Sequence, residues 1–255
     1  MKEADIRVHL SEENSEIKII AVKETTSTND ELKKLALSGE RDTVLFVAEA
    51  QTAGRGRKGR SFFSPANTGI YMSILIHPDI SPEECTLITP MCAAATAEAI
   101  ENVAGVKADI KWVNDIYVKG KKAAGILTEG AFTKKGADYI IVGIGINLAL
   151  PEEGFPEEIR HIACALTETS GELREKLIAE TVNRFMYHLG NIKSRAFIPL
   201  YRERLFFLGK EITVISADGS FRATALDTDS FCRLTVKNEK GEIITLGSGE
   251  ISIRP

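Results

Sequence analysis

Apolar residues recur along this chain with two periods, and each predicts its own kind of element. Residues 17–22 (IKIIAV), 43–50 (TVLFVAEA), 70–76 (IYMSILI), 109–113 and 139–146 (YIIVGIGI) are short apolar runs that predict strands. The last is too apolar to expose either face. Residues 116–118 and 121–127 flank Lys119-Gly120 and predict a hairpin. Helical spacing appears at Leu32, Leu35 and Ala36. It follows Thr28-Asn29-Asp30-Glu31, which has the form of a capping box with Thr28 as N-cap, and Gly39 is the stop. Ser81-Pro82-Glu83-Glu84 is a second capping box, predicted to open an Ala-rich helix that runs to about Ala104 and ends at Gly105. An amphipathic helix over 172–189 and a helical segment near 195–206 follow. After Gly209 the pattern changes to five short β-type runs (211–216, 220–226, 231–237, 242–246 and 250–254). Ala217-Asp218-Gly219, Asp227-Thr228-Asp229 and Asn238-Glu239-Lys240-Gly241 separate them, which predicts a small β-barrel. The boundary is placed near residue 207, giving units 1–207 and 208–255.

Composition narrows the class. The 255 residues amount to roughly 1.7 domains of ordinary size, and 44% hydrophobic with 27% charged residues is a globular balance. Lys plus Arg is 32 against 36 Asp plus Glu, a net charge of −4, whereas a protein that coats nucleic acid would be basic. Cys85, Cys92, Cys164 and Cys232 are widely spaced and form no C-x-x-C pair, which suits reduced thiols rather than structural zinc. His9, His77, His161 and His188 show no ligand spacing. The N-terminal residues lack a positive segment followed by an apolar core, and no apolar run reaches membrane-spanning length, so a cytoplasmic protein is expected.

One stretch breaks the alternation of core elements. Residues 51–69 (QTAGRGRKGRSFFSPANTG) hold four Gly and four Lys or Arg in nineteen positions, too polar and too Gly-rich for a core element. Backbone N–H groups bared by Gly54, Gly56 and Gly59, beside Arg55, Arg57, Lys58 and Arg60, suit a phosphate or carboxylate. A solvated basic loop is the plain alternative. A nucleic-acid patch is another, because Phe62 and Phe63 follow and could stack on bases. Gly54 to Ser61 reads G-x-x-x-x-G-R-S, a near miss for a P-loop. That reading fails because Pro65 discourages the helix a P-loop must open.

Three further clusters carry polar chemistry. Lys111-Trp112-Val113-Asn114-Asp115 joins a cation, an amide and a carboxylate able to hold Mg²⁺. Lys121 and Lys122 precede small residues and Gly125, and strand alternation lets only one of the two lysines face a site. Gly143-Ile144-Gly145-Ile146-Asn147 lacks the third Gly and the helix start of a dinucleotide fingerprint. Its two glycines point instead to something packed tightly against a buried strand.

Taken in order, Ser27-Thr28-Asn29, Gln51-Thr52-Ala53-Gly54-Arg55-Gly56-Arg57-Lys58-Gly59-Arg60, Lys111-Trp112-Val113-Asn114-Asp115, Lys122-Ala123-Ala124-Gly125-Ile126-Leu127 and Gly143-Ile144-Gly145-Ile146-Asn147 resemble the biotin–protein ligases. The resemblance runs from about residue 20 to 254, and the GRGRxGR and K-W-x-N-D motifs are its most specific parts. Val113 stands where the family usually has Pro. The family fold implies an α+β protein, a mixed β-sheet with helices on one face (class II synthetase-like) followed by an SH3-like β-barrel. The family's activity is to form biotinyl-5′-AMP and pyrophosphate from biotin and Mg·ATP, then to pass biotin to a lysine of the carrier domain of a biotin-dependent carboxylase. By the same resemblance, Ser27, Thr28, Asn29, Gln51, Gly54, Arg55, Gly56, Arg57, Lys122 and Gly125 belong to the biotin site. Arg57, Arg60, Lys111, Asn114, Lys122 and Asn147 belong to the ATP site. Arg57, Lys111, Asp115 and Lys122 form the catalytic set, with Asp115 either orienting the acceptor lysine or helping to hold Mg²⁺. The basic loop, residues 54–63, is expected to order over bound ligand. About 26 residues precede Ser27, which suggests the monofunctional type that binds no DNA. Dimerisation is compatible with the family. A lipoate or octanoate carrier-protein ligase and a non-catalytic biotin sensor are the rival readings.

Overall fold

The computed structural model describes residues 1–133, 136–169, 171–216 and 219–253. The expected turn at Ala217-Asp218-Gly219 and the end of the last strand lie in part outside them. A short helix α1 (Glu3–Arg7) leads into β1 (Lys18–Thr25), α2 (Thr28–Leu37), β2 (Val44–Gln51) and β3 (Gly69–Ile76). Then come α3 (Pro82–Cys85), α4 (Ile88–Ala104), β4 (Asp109–Lys111), β5 (Asp115–Val118), β6 (Lys121–Thr133) and β7 (Gly136–Asn147). Helices α5 (Leu173–Gly190) and α6 (Phe197–Glu203) precede β8 (Glu211–Ser216), β9 (Gly219–Thr228), β10 (Leu234–Asn238), β11 (Ile243–Leu246) and β12 (Glu250–Ile253).

The first seven strands form one sheet in the order β1-β2-β3-β7-β6-β5-β4. The β1–β2 pair, joined through α2, is parallel and the other pairs are antiparallel, so the sheet is mixed as expected. Helices α4, α5 and α6 pack on one another and against one face of this sheet. Ala93, Ala94, Ala95, Ala97 and Ala99 of α4 are fully buried there and let helix and sheet approach closely. The opposite face carries a smaller apolar cluster, where Leu32 and Ala36 of α2 cover Val44, Phe46, Leu75 and Ile141. Helix α2 therefore stands apart from the other helices, across the sheet, and beside it part of that face stays open. The last five strands form an antiparallel sheet in the order β11-β10-β9-β8-β12, the SH3-like unit, and its inward residues join the main core.

The local signals behaved unequally. Ser81 caps α3 as expected: Oγ accepts from the Glu84 N–H, Glu84 accepts from the Ser81 N–H, and Pro82 follows. The expected single helix from 81 to 104 is instead two, α3 and α4, separated at Thr86-Leu87. Gly105 ends α4 at φ +66°. Thr28 is not an N-cap. Ser27 occupies that position with extended backbone and makes no side-chain cap bond, and Thr28 is the first helical residue. The Thr28 hydroxyl is engaged across the sheet instead, with Gln51 and Ser73. The hairpin strands are longer than their apolar cores, with β6 reaching Thr133 and β7 starting at Gly136.

Candidate active site

The open part of the sheet face is a trough made by missing side chains. Residues directly opposite one another on antiparallel strands share a face. One such row runs Lys111, Asp115, Gly125, Gly145, Tyr71 across β4, β5, β6, β7 and β3. The adjacent row runs Leu127, Gly143, Ser73. Three glycines thus occupy the centre of the sheet on the face beside α2. The space above Gly143 and Gly145 is used by side chains from elsewhere. A Cβ at 143 would collide with Asn29 Oδ1, and one at 145 would lie 2.6 Å from the Phe62 ring. This is the close packing that the two glycines implied. A Cβ at 125 would press on Lys122 Nζ at 3.1 Å, so Gly125 leaves room for that ammonium group.

A cavity of about 320 Å³ fills the trough, which is within the range of small-molecule sites. It is lined by Ser27, Thr28, Asn29, Gln51, Arg55, Gly56, Arg57, Arg60, Lys111, Asn114, Asp115, Lys122, Gly125 and Asn147. Of the residues expected at a site, Gly54 alone is not on its wall. Gly54 is buried behind the loop, where a Cβ would lie 2.5 Å from Ser64 Oγ. Only one of the paired lysines faces the cavity: Lys122 lines it, whereas exposed Lys121 donates to the Arg160 carbonyl.

The cavity has two chemically distinct ends. At one end polar uncharged groups form a connected chain. Gln51 Oε1 accepts from the Thr28 N–H at 2.9 Å, Thr28 Oγ1 lies 2.6 Å from Ser73 Oγ, and Ser73 Oγ donates to Asn29 Oδ1 at 2.6 Å. Asn29 Nδ2 donates to Glu129 Oε2 at 2.7 Å, and Arg55 binds Glu129 and Asp30 at 2.6 and 2.8 Å. The other end is charged. Lys122 Nζ lies 2.7 Å from Asp115 Oδ1, which also accepts from Asn114 Nδ2, and Arg57 donates to Asn114 Oδ1 at 2.8 Å. Arg60 and Lys58 pair with Glu250 of β12, and Arg57 donates to the Gly249 carbonyl, so the basic loop spans from α2 to the C-terminal sheet. Burial holds the Lys111 ammonium below the usual lysine range. Asp115 opposes that shift and Lys122 adds to it. Five cationic side chains (Arg55, Arg57, Arg60, Lys111, Lys122) line the cavity against two carboxylates (Asp115, Glu250). The protein is acidic overall, so this local excess of positive charge marks a place for a polyanion.

Several contributors escape a reading of motifs. Ser73 is fully buried and is the one serine among the apolar and aromatic side chains of β3, a signal legible in the sequence. Phe62 forms part of the cavity wall and packs edge-on against Tyr71, so it is not displayed for base stacking. Ile159, Ile162 and Ala163 close another side. Around Ala163 the backbone pairs with Lys122 (Lys122 N–H to the Ile162 carbonyl at 2.7 Å, Cys164 N–H to the Lys122 carbonyl at 2.9 Å), and Asn147 Nδ2 holds the Cys164 carbonyl at 3.2 Å. Trp112 is 4% exposed and donates through Nε1 to the Cys232 carbonyl, tying the motif to the C-terminal sheet. Among the described residues no three His, Cys, Asp or Glu side chains converge as a metal site, and no helix is long and apolar enough to cross a membrane.

A glycine-floored trough with one neutral and one cationic end suits a ligand that is polar and uncharged at one end and anionic at the other. The Biotin/lipoate A/B protein ligase family profile matches residues 21–147, and the Biotin protein ligase C terminal domain profile matches residues 207–254. The chain is 32% identical over 246 residues to the bifunctional ligase/repressor BirA of Bacillus spizizenii, covering 94% of this chain and 76% of that protein. It is 33% identical over 142 residues to the biotin–[acetyl-CoA-carboxylase] ligase of Mycobacterium tuberculosis, covering 53% of this chain and 52% of that protein. The biotin protein ligase from Aquifex aeolicus, solved in complex with biotin and ATP, superposes with a TM-score of 0.76 at 28% identity, over 93% of this chain and 98% of that one. This chain belongs to the biotin protein ligase family.

Proposed function

We propose that this protein activates biotin with Mg·ATP as biotinyl-5′-AMP and then transfers the biotinyl group to a lysine of the carrier domain of a biotin-dependent carboxylase. The observation that carries this reading is the two-ended cavity. A neutral hydrogen-bonding end suits the biotin ring system, and a cationic end suits a carboxylate meeting a triphosphate. Residues 1–207 form the catalytic unit in this reading, and 208–255 the SH3-like unit.

In the first step a biotin carboxylate oxygen attacks the α-phosphorus, and the bond to the pyrophosphate oxygen breaks. Two unit negative charges about 4 Å apart repel by about 4 kcal/mol at an effective dielectric near 20. Fixed cations offset that repulsion and stabilise the charge that builds up in the transition state. Lys122 and Arg57 take the place where carboxylate and α-phosphate meet. Arg60, Lys111, Asn114 and Asn147 take the nucleotide side. Ser27, Thr28, Asn29 and Gln51 face the ring system, while Arg55 and Gly56 complete the loop above it. Lys122 and Arg60 exchange their present partners, Asp115 and Glu250, for phosphate oxygens when the nucleotide enters.

The donor set makes no resident metal site. Among the described residues no three His, Cys, Asp or Glu side chains converge, and Asp115 and Glu250 are released from Lys122 and Arg60 only when the nucleotide enters. Mg²⁺ accordingly arrives as part of the substrate Mg·ATP, where phosphate oxygens supply most of its ligands. In the second step the acceptor lysine Nζ attacks the mixed anhydride carbonyl, and the bond to AMP breaks. Asp115 orients that amine. The basic loop keeps water from the anhydride until the carrier lysine arrives.

Exchange of labelled pyrophosphate into ATP tests the reading, with biotin, lipoate and octanoate as parallel acids. Exchange with biotin alone is expected. Exchange with lipoate or octanoate but not biotin overturns the choice of acid. No exchange with any of them, in folded protein supplied with Mg²⁺, leaves a non-catalytic biotin sensor.

A further inference from the structure

Ser73 belongs to none of the motifs, yet it sits at the centre of the neutral end of the cavity. It is completely buried in β3, between Met72 and Ile74. Its hydroxyl touches two residues of the α2 N-terminus, Thr28 Oγ1 and Asn29 Oδ1, each at 2.6 Å. Gly143, directly opposite Ser73 in the β3–β7 register, has no side chain, and this is what lets the Asn29 amide lie over the sheet.

Counting protons fixes the polarity of the chain. Asn29 faces the Glu129 carboxylate at 2.7 Å and the Leu127 carbonyl at 3.4 Å, both acceptors only, so the atom on that side is Nδ2. Oδ1 therefore faces Ser73 and can only accept. The single hydroxyl proton of Ser73 goes to Asn29, which leaves Ser73 Oγ to Thr28 as an acceptor. Thr28 Oγ1 gives its own single proton to Ser73 at 2.6 Å rather than to Gln51 Oε1 at 3.2 Å, which already receives the Thr28 N–H. Thr28 lines the cavity. With its proton committed to Ser73, it meets a ligand there only as an acceptor.

We propose that Ser73 is a positioning residue that sets the hydrogen-bond polarity of Thr28 and Asn29, and so makes the neutral end selective for an acid whose ring carries N–H donors. A cyclic urea fits this requirement. A dithiolane or a plain alkyl chain brings no donor and leaves the Thr28 oxygen unpaired against it. The inference rests on the reading of this cavity as the site of the acid. It adds the residue that decides which class of acid is accepted.

The test uses the full chain and Ser73→Ala, in pyrophosphate exchange with biotin, octanoate and ATP each varied, together with thermal unfolding. Loss of the relay frees the Thr28 proton and unpins Asn29. The KM for biotin should then rise about 10–100-fold, the change expected when a buried polar group loses its partner. KM for ATP should stay within twofold, and any octanoate activity should not fall. A biotin KM within twofold of wild type overturns the proposal, as does an equal loss for biotin and ATP. Ser73→Cys is slightly larger, keeps a proton at the γ position and offers only a weak donor, so it should show the same split to a smaller degree. Failure of both variants to fold overturns the proposal too, because Ser73 would then be structural. If the wild-type protein exchanges with no acid, the functional reading fails on its own. Calorimetric binding of biotin to wild type and Ser73→Ala without ATP then judges the relay separately: a biotin Kd weakened about 10–100-fold in Ser73→Ala sustains it, and a Kd within twofold overturns it.

Discussion

Replacing Gly143 by Ala adds one methyl group at the point where the sheet is most closely approached. The backbone of Gly143 is ordinary extended strand, so Ala is conformationally acceptable there and gains about 0.5–1 kcal/mol from reduced unfolded-state freedom. The new Cβ, however, falls on the position of Asn29 Oδ1. Asn29 is 4% exposed and is held from both sides, by Ser73 at 2.6 Å and by Glu129 at 2.7 Å. Swinging its amide aside breaks both bonds. The neutral one is worth about 1 kcal/mol and the bond to a carboxylate about 1.5 kcal/mol, the low end because the Glu129 side chain is 33% exposed. The net expected loss is about 1.5–2 kcal/mol, read as a lower denaturant midpoint at unchanged slope. Biotin KM should rise in the same variant, because Asn29 and Thr28 share the N-terminal turn of α2. Gly190→Ala is the matched control. Nothing lies within 4 Å of a Cβ there, and the change, at the end of α5, should be neutral or stabilising by up to about 1 kcal/mol. A Gly143→Ala protein as stable as Gly190→Ala, with biotin KM unchanged, would refute the close-packing argument for the trough.

Other consequences can be measured directly. Arg57→Ala should weaken retention of biotinyl-AMP about 10–100-fold, the worth of one or two bonds to a charged group, with stability changed by less than about 1 kcal/mol because the side chain is only half-buried. A mutant that holds the adenylate as tightly as wild type contradicts its placement. Trp112→Phe removes the bond to the Cys232 carbonyl at 2.9 Å and should cost about 1–2 kcal/mol in denaturant unfolding. An unaltered midpoint would show that this bond does not tie the two sheets. Burial lowers Lys111 below its ordinary value of 10.5, and a bound polyanion favours its charged form. Between the lowered value and 10.5 the free protein has a partly neutral Lys111, so nucleotide binding should take up protons and weaken as pH rises through that window. Calorimetry in buffers of different ionisation enthalpy reads this, and a zero proton count there removes Lys111 from the nucleotide site. Limited proteolysis within residues 54–63 should slow when biotin and ATP are added. Unchanged cleavage counts against loop closure.

Much of this protein could be read from one dimension. The strands of the central sheet follow from apolar runs of β-branched residues, and the helical stretch over 82–104 and α5 from a cap and helical spacing, because such signals act over a few residues; the break at Thr86-Leu87 was not legible. The cationic end was legible because its residues cluster in sequence, as Gly54 to Arg60 and Lys111 to Asp115. Even the crowding at residues 143–147 could be inferred, since two glycines in a buried strand leave space that something must fill.

Register and long-range pairing decided the rest. Only the sheet order puts Gly125 beside Gly145 and Gly143 beside Ser73, turning three isolated glycines into one trough. Thr28 reads locally as an N-cap. Its hydroxyl instead meets Ser73, 45 residues away, because a buried bond across the sheet satisfies two groups that water cannot reach. Glu250 and Gly249 come within reach of the basic loop only because the C-terminal sheet docks on Trp112. Sequence fixes which residues carry charge, hydroxyls or no side chain at all. Which of them meet depends on strand pairing and on the burial that makes an unpaired polar atom costly, and both are properties of the folded whole.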